Sequence, residues 1–166
     1  MINCIAIDDE PPALQVIKEY CDRIPFLNLQ QKFTSPEEAK AFLKSNPVDL
    51  VFLDIQMPDC NGVEFYKSLT EKVPVVLTTA YKDFALEGFN VDAVDYLLKP
   101  FDYARFLKAS YKAKEYIEFL SSKDLELSSI FVKVNYELMR INLKDIDLIE
   151  ALDDYIKIYI KPQPVL

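Results

Sequence analysis

The chain has 166 residues, of which 51% are hydrophobic and 28% charged, which suits one full domain and a smaller second piece. Its formal net charge of −8 excludes a general attraction for nucleic acid, because phosphate binding requires clustered lysine and arginine. It contains no histidine, which excludes Ser-His and Cys-His catalysis, histidine metal ligands and a role as a phosphohistidine donor.

The three cysteines, Cys4, Cys21 and Cys60, are odd in number and lack the spacing of a metal site. We expect them to be free thiols in a reducing compartment. No apolar run approaches the ~20 residues of a membrane-spanning helix, and an acidic cluster follows the first strand too early for a signal peptide. We therefore expect a cytoplasmic protein with no membrane partner.

The first 120 residues alternate between short apolar runs and amphipathic stretches, which predict five strands, each followed by a helix. The predicted strands are Ile2–Ile7, Leu27–Phe33, Val48–Leu53, Val75–Thr79 and Val94–Leu98. The predicted helices are Pro11–Arg23, a helix opened by Ser35-Pro36-Glu37-Glu38, Gly62–Glu71, Lys82–Phe89 and Asp102–Leu120. Near-continuous apolar strands are typical of a sheet buried on both faces, so the pattern predicts a doubly wound α/β domain with a five-stranded parallel sheet. The order 2-1-3-4-5 is one of the common strand orders of this class, and it is the order that we expect here.

The chain changes character after Leu120, where a polar linker over 121–128 leads to β-patterned segments. These are Ile130–Val134, Leu138–Leu143, Ile146–Glu150 and Tyr155–Ile160, with a hairpin turn predicted at 135–137. In the last segment isoleucines alternate with tyrosines and lysine, which predicts a half-buried strand. We therefore divide the chain into a domain at 1–120, a linker at 121–128 and a partial all-β segment at 129–166.

Acidic side chains follow two strands that are neighbours in the predicted sheet. Asp8 and Asp9 come after the first strand and Asp54 after the third, so the topology brings them to one crevice at the carboxyl edge. A single acid at a strand end is more often a helix cap or a solvated charge. Three carboxylates in one crevice repel each other unless a cation neutralises them, and all-oxygen ligation suits Mg²⁺. The set therefore favours a cation site.

Two further polar side chains end the fourth and fifth predicted strands. They are Thr79 and Lys99, whose hydroxyl and ammonium groups can bind the oxygens of an anion. Alone, a strand threonine is mostly a β-former and a lysine before proline is mostly a surface residue. Combined with the carboxylates, they indicate an apparatus for phosphoryl transfer, a reaction that depends on positioning and charge stabilisation.

Four stretches of the chain resemble the receiver family of two-component response regulators, in the right order over roughly residues 1–120. They are IDDE at 7–10, FLDIQMPDCNG at 52–62, TAY at 79–81 and DYLLKPF at 95–101. The resemblance implies a flavodoxin-like or CheY-like fold, Mg²⁺ as the cofactor and a sensor histidine kinase as the partner.

The resemblance also implies roles for the residues around the acidic crevice. Asp54 would accept a phosphoryl group from a phosphohistidine on the kinase. Asp9 and Asp54 would bind Mg²⁺ directly, together with the backbone carbonyl of Gln56, and Asp8 would bind the ion through water or directly. Gly62 would shape the loop after Asp54 by adopting a backbone conformation that other residues resist.

The remaining matched residues would bind the phosphoryl group or respond to it. Thr79 would bind a phosphoryl oxygen and Lys99 would pair with the acyl phosphate. Thr79 and Tyr96 would move on phosphorylation, and Pro100 would follow a cis peptide bond. The surface formed by Lys82–Phe89, the fifth strand and the last helix would be the output face and a possible homodimer face.

Gln56 and Tyr81 lie two residues beyond Asp54 and Thr79, at positions that flank the path of hydrolytic water in the family. We hypothesise that they set the lifetime of the phosphoryl group. An unchanged dephosphorylation rate after substitution of both residues would contradict this hypothesis.

The tail resembles the start of a LytTR domain, an all-β DNA-binding module, over about the first third of that module. The matching segments are 130–134, 140–146, 149–152 and 154–159. The later portion of the module, which carries much of the basic surface, is not matched, so we expect a piece of a longer transcription regulator that would bind DNA only through a complete LytTR domain. The tail could also be disordered or pair its strands with a second copy.

Two other classes of protein are alternatives. A stand-alone receiver could act as a protein-interaction or phosphate-sink module, but the LytTR-like tail argues against it. A Mg²⁺ phosphatase of the haloacid dehalogenase type would place a second aspartate two residues after its nucleophile, whereas Asp9 follows Asp8 directly. The chain also has only two glycines and no Gly-rich phosphate loop. We therefore expect a phosphoacceptor switch, limited to self-phosphotransfer and auto-dephosphorylation, and not an enzyme.

Overall fold

The computed structural model describes residues 1–58, 60–80, 91–121, 129–134, 137–152 and 155–161. The chain divides into two compact units, Met1–Ser121 and Ser122–Leu166. The helix predicted at Lys82–Phe89, residues 122–128 of the predicted linker and residues 135–136 of the predicted hairpin turn lie outside the described residues.

The first unit contains a five-stranded parallel sheet. Its strands are β1 (Ile2–Ile7), β2 (Leu27–Phe33), β3 (Leu50–Asp54), β6 (Val75–Thr79) and β7 (Asp95–Leu98). Two antiparallel strands of two residues each, β4 (Gln56–Met57) and β5 (Cys60–Asn61), follow β3. The sheet order is β2-β1-β3-β6-β7, which is the predicted order 2-1-3-4-5 once β4 and β5 are left aside. The predicted doubly wound α/β fold is therefore confirmed.

Burial follows the apolar runs of the sequence. Every residue of β3 and β6 is buried, as expected for central strands covered on both faces. Among the described residues, Phe52 and Phe106 are the largest side chains that are almost fully buried, and their rings stack with centroids 4.8 Å apart. Cys4 is fully buried, and all three cysteines are free thiols, as predicted.

Four helices are described in the first unit: α1 (Pro11–Asp22), α2 (Pro36–Ser45), α3 (Gly62–Lys67) and α4 (Tyr103–Ser121). The predicted cap of α2 is confirmed, because the Ser35 hydroxyl accepts a hydrogen bond from the backbone N–H of Glu38. No helix in the described ranges is long and apolar enough to cross a bilayer.

The predicted extent of the helix after Asn61 was wrong, because α3 ends at Lys67 and not at Glu71. The carbonyl groups at its end find partners outside the helix. Lys72 Nζ lies 2.7 Å from the carbonyl oxygen of Tyr66 and 2.9 Å from that of Lys67. A basic side chain that returns to the last turn in this way stabilises the end of a helix.

Gly62 opens α3 directly against the end of β3. Its N–H donates to the carbonyl oxygen of Ile55 at 2.7 Å. Its backbone φ is not positive, so the predicted reason for a glycine here, an unusual backbone conformation, was wrong. The structure shows lack of space, because a Cβ at this position would lie 2.0 Å from the carbonyl oxygen of Asp54.

The second unit contains two antiparallel hairpins. The first pairs β8 (Ser129–Val134) with β9 (Glu137–Asn142), and the second pairs β10 (Ile146–Leu152) with β11 (Tyr155–Ile160). The strand prediction is confirmed at Tyr155–Ile160, but the predicted half-burial was wrong, since Ile156 is 59% exposed. On the same face, Ile149 is 52% exposed, and its cross-strand partner Ile158 is partly buried. The described residues of this hairpin therefore leave much of its apolar face exposed.

Gly62→Ala should lower the free energy of unfolding by about 1–3 kcal/mol, because the added methyl group must push α3 away from Asp54. Urea denaturation measures this change. Thr70→Ala, an exposed site beyond the same helix, is the control and should stay within about 0.5 kcal/mol of wild type. Equal effects of the two substitutions would contradict the close contact.

Candidate functional site

The candidate site lies at the carboxyl edge of the parallel sheet. Asp8 follows β1, Asp54 ends β3, Thr79 ends β6 and Lys99 follows β7. The backbone N–H of Lys99 donates to the carbonyl oxygen of Thr79 at 2.7 Å, and that of Asp8 donates to Phe33 at 3.0 Å. These bonds extend the strand pairing beyond the ends of β1 and β7, where the four side chains lie.

Three carboxylates meet at this edge, as the strand order predicted. One oxygen of each of Asp8, Asp9 and Asp54 lies within 4.8 Å of the others. Asp8 and Asp54 are buried, and Asp9 is partly exposed. The backbone N–H of Glu10 donates to Asp8 Oδ1 at 3.0 Å, and that of Gln56 approaches Asp54 Oδ1 at 3.4 Å.

Lys99 supplies the positive charge of the cluster. Its Nζ lies 2.7 Å from Asp8 Oδ2 and 3.0 Å from Asp54 Oδ2. Its side chain is 15% exposed, so both ion pairs are largely shielded from water. Asp8 Oδ2 has ion-pair contact with the ammonium but no aligned hydrogen bond. The group could therefore accept a further electrostatic partner.

Glu10 also reaches Lys99, with its Oε2 at 3.4 Å from Nζ, and sequence reasoning assigned it no role. Its carboxylate is 64% exposed, so this pair contributes little to stability. The only signal in the sequence was its position directly after Asp9. A contact between residues 89 positions apart depends on strand order and on the side-chain rotamer.

The pKa values of the cluster shift in the same direction. Burial raises the pKa of Asp8 and of Asp54, and this outweighs the opposite effect of their contacts with the Lys99 ammonium. Burial alone would lower the pKa of Lys99, but its contacts with the two carboxylates raise it overall. All three groups therefore hold protons more readily than in water, as expected where one ammonium faces an excess of carboxylates.

An all-oxygen donor set with uncompensated negative charge suits a hard divalent cation. The carboxylates of Asp8, Asp9 and Asp54 are the residues that could hold one. The chemistry available here is the attack of a carboxylate oxygen on an electrophile whose oxygens are neutralised by Lys99 and by that cation.

The structure also locates the other predicted residues. Thr79 is buried at the end of β6, one strand away from Asp54. Gln56 is exposed in β4. Tyr96 is half-buried against the core, and burial, followed by the charges of Asp92 and Asp95, raises its pKa.

The peptide bond between Lys99 and Pro100 is cis, as expected from the resemblance. Tyr81 lies outside the described residues. The hypothesis that Gln56 and Tyr81 set the lifetime of the phosphoryl group therefore stays a prediction.

Comparison with known sequences now identifies the class of the first unit. The profile of the response regulator receiver domain matches residues 4–111, and the chain belongs to this family. The response regulatory domain of MrkE from Klebsiella pneumoniae has the same fold, with a TM-score of 0.64 and 29% identity over 71% of this chain and 99% of that one.

Within the family, the chain is similar to the LytT and LytR sensory transduction proteins. It is 29% identical to LytT of Bacillus anthracis over 165 residues, which cover 92% of this chain and 67% of that protein. It is 34% identical to LytR of Staphylococcus haemolyticus over 119 residues, which cover 70% of this chain and 46% of that protein. The chain thus has the receiver domain of a LytT/LytR-type response regulator and spans about two thirds of the LytT relative.

Asp54→Asn should stabilise the fold at neutral pH by about 1 kcal/mol, because it removes a buried charge from the acidic cluster. The sign follows from the raised pKa: the protonated carboxyl is compatible with the fold at low pH, and stability is lost as the pH rises through the folded-state pKa. The advantage of the variant should therefore vanish below about pH 4, the unfolded-state value.

Urea denaturation without divalent cations between pH 3 and pH 7 measures this difference. Asp22→Asn, on the exposed face of α1, serves as the control and should lack the pH-dependent gain. A variant less stable than wild type at pH 7 would contradict an excess of buried negative charge.

Proposed function

We propose that the chain is a phosphoacceptor switch, phosphorylated on Asp54 by a sensor histidine kinase. One observation carries the proposal: the carboxylate of Asp54 is buried at the edge of the sheet, with Lys99 Nζ at 3.0 Å and two further carboxylates beside it. This arrangement pairs a nucleophile with a cation for the transferred oxygens, as phosphoryl transfer requires.

In the proposed reaction, a carboxylate oxygen of Asp54 attacks the phosphorus of a phosphohistidine on the kinase. An O–P bond forms, the P–N bond breaks, and the imidazole leaves and takes a proton from solvent. Lys99 neutralises oxygens of the phosphoryl group, and the Thr79 hydroxyl binds one of them. Bound Mg²⁺, held by Asp8, Asp9, Asp54 and the backbone carbonyl of Gln56, would neutralise charge that develops on the phosphoryl oxygens.

The phosphoryl group adds negative charge beside Lys99, which in the unphosphorylated protein is held between Asp8 and Asp54. We propose that this redistribution, with movements of Thr79 and Tyr96, is the signal. The dimer face predicted at Lys82–Phe89, the fifth strand and the last helix lies partly outside the described ranges and stays a prediction, as does the cytoplasmic location.

Incubation with acetyl phosphate and Mg²⁺ should increase the intact mass by one phosphoryl group. Asp54→Asn should abolish the increase, because the amide is a poor nucleophile, whereas Asp22→Asn should retain it. Chelation of Mg²⁺ should slow the reaction by at least about tenfold, since one lost transition-state contact of this kind is typically worth several kcal/mol. A folded wild-type protein that gains no mass would contradict the proposal.

For the second unit, we propose that its hairpins are the start of a LytTR output domain that controls transcription in the whole protein. The similarity to LytT of Bacillus anthracis extends through this region, since it covers 92% of the chain. That coverage favours a transcription regulator over the alternative, a stand-alone receiver that acts as an interaction or phosphate-sink module.

The 166-residue chain alone should bind DNA weakly. Residues 121–166 contain six lysines and arginines and eight acids, for a net charge of −2, and the whole chain carries −8. Few lysine and arginine side chains are therefore available to displace counterions from DNA, which is the main source of non-specific affinity. A gel-shift assay at physiological salt should show at most non-specific affinity, with Kd above about 1 μM. Tight sequence-specific binding would contradict this assignment of the DNA-contacting surface.

A further inference from the structure

A second buried ion pair lies away from the acidic cluster, where α4 packs on β7. Asp95 begins β7 and is fully buried. Arg105, in the first turn of α4, binds it with two nitrogens: Nη1 lies 2.6 Å from Oδ2 and Nη2 lies 3.0 Å from Oδ1. A fork of this kind is both strong and directional, because two parallel N–H···O bonds fix the plane of the guanidinium.

The same guanidinium also binds the backbone of β7. Its Nη2 donates to the carbonyl oxygen of Tyr96 at 2.5 Å. Arg105 therefore contacts β7 at two consecutive residues, through one side chain and one carbonyl. A lysine could not reproduce this contact, because an ammonium lacks the planar fork.

A second cation approaches the same carboxylate from further along α4. Lys112 Nζ lies 3.4 Å from Asp95 Oδ1 and follows Arg105 by seven residues, or about two helical turns. The two cations lie on the same face of the helix, so Asp95 ties two successive stretches of α4 to β7. The Arg105 contacts are shorter and carry most of this attachment.

β7 also leads directly into the candidate site. Lys99 follows its last residue, and the Lys99 ammonium bridges Asp8 and Asp54. Only three positions separate Tyr96, whose carbonyl Arg105 holds, from Lys99. A displacement of Lys99 toward a phosphoryl group on Asp54 therefore acts on a short strand whose other end is fixed to α4.

We propose that Arg105 is a positioning residue that couples the phosphorylation state of Asp54 to α4 through β7. The inference rests on the proposed function, because it requires Asp54 to accept a phosphoryl group. Arg105 does not touch the reacting atoms, so its loss leaves phosphorylation intact and removes the response of the helix.

The test measures amide hydrogen exchange in peptides from α4, with and without acetyl phosphate and Mg²⁺, and intact mass on the same samples. The variants are Arg105→Gln, which removes the fork, and Arg105→Lys, which keeps the charge. Lys108→Gln is the matched control, because it removes a positive charge from the exposed face of the same helix.

In wild type and in Lys108→Gln, phosphorylation should change the exchange rates of α4 amides on the order of 5-fold or more, the usual size of coupling between two sites. In Arg105→Gln the ratio of the two rates should fall to near one, although the mass increase persists. Arg105→Lys should give an intermediate ratio. Each variant is compared with its own unphosphorylated state, so a purely structural role would shift both rates and leave the ratio unchanged.

The possible outcomes separate the two proposals. A wild-type protein that gains no phosphoryl group overturns the proposed function, and the inference with it. Two outcomes overturn the inference alone. In the first, Arg105→Gln is phosphorylated and keeps the wild-type ratio of α4 exchange rates. In the second, wild type is phosphorylated and its α4 exchange rates do not change. If Arg105→Gln does not fold, Arg105→Lys provides the test. A ratio of exchange rates equal to that of wild type in Arg105→Lys overturns the two-nitrogen contact as the coupling element.

Discussion

The candidate site of the first unit depends on an imbalance of charge at one edge of its sheet. Parallel strands end together there, so side chains that are far apart in sequence must share a small volume with little water. Asp8 and Asp54 are buried in that volume, and one ammonium, that of Lys99, lies between them. Because a second ammonium is absent from the described part of this edge, the cluster favours binding of protons or cations.

Under the proposed function, that imbalance would also allow the site to respond to a phosphoryl group on Asp54. A lysine paired with a single carboxylate would change its contacts little when a further charge is added. Lys99 instead divides its contacts between two carboxylates, Asp8 and Asp54. A phosphoryl group would compete with these carboxylates for Lys99, with more charge and more acceptor oxygens. The proposed switch would therefore need only a small redistribution of contacts around Lys99, which directly follows β7.

Features of the fold and of the site that are local in sequence could be predicted, whereas features that arise from tertiary contacts could not. The apolar runs predict the doubly wound class, and the strand order common in that class places Asp54 near Asp8 and Asp9. The end of α3 was misjudged because Lys72, beyond the helix, supplies its last hydrogen bonds. The attachment of Arg105 to Asp95 was not foreseen, since no spacing rule indicates which buried acid a helix arginine will meet.

The exposed isoleucines of the second hairpin have a practical consequence. Ile149 and Ile156 lie on the same face, each more than half exposed. A two-stranded hairpin also has two edges whose N–H and C=O groups can pair with another strand. We therefore expect these features to favour self-association of the 166-residue chain at the concentrations used for crystals or NMR, and a shorter chain ending at Ser121 would lack them while keeping the proposed phosphorylation site.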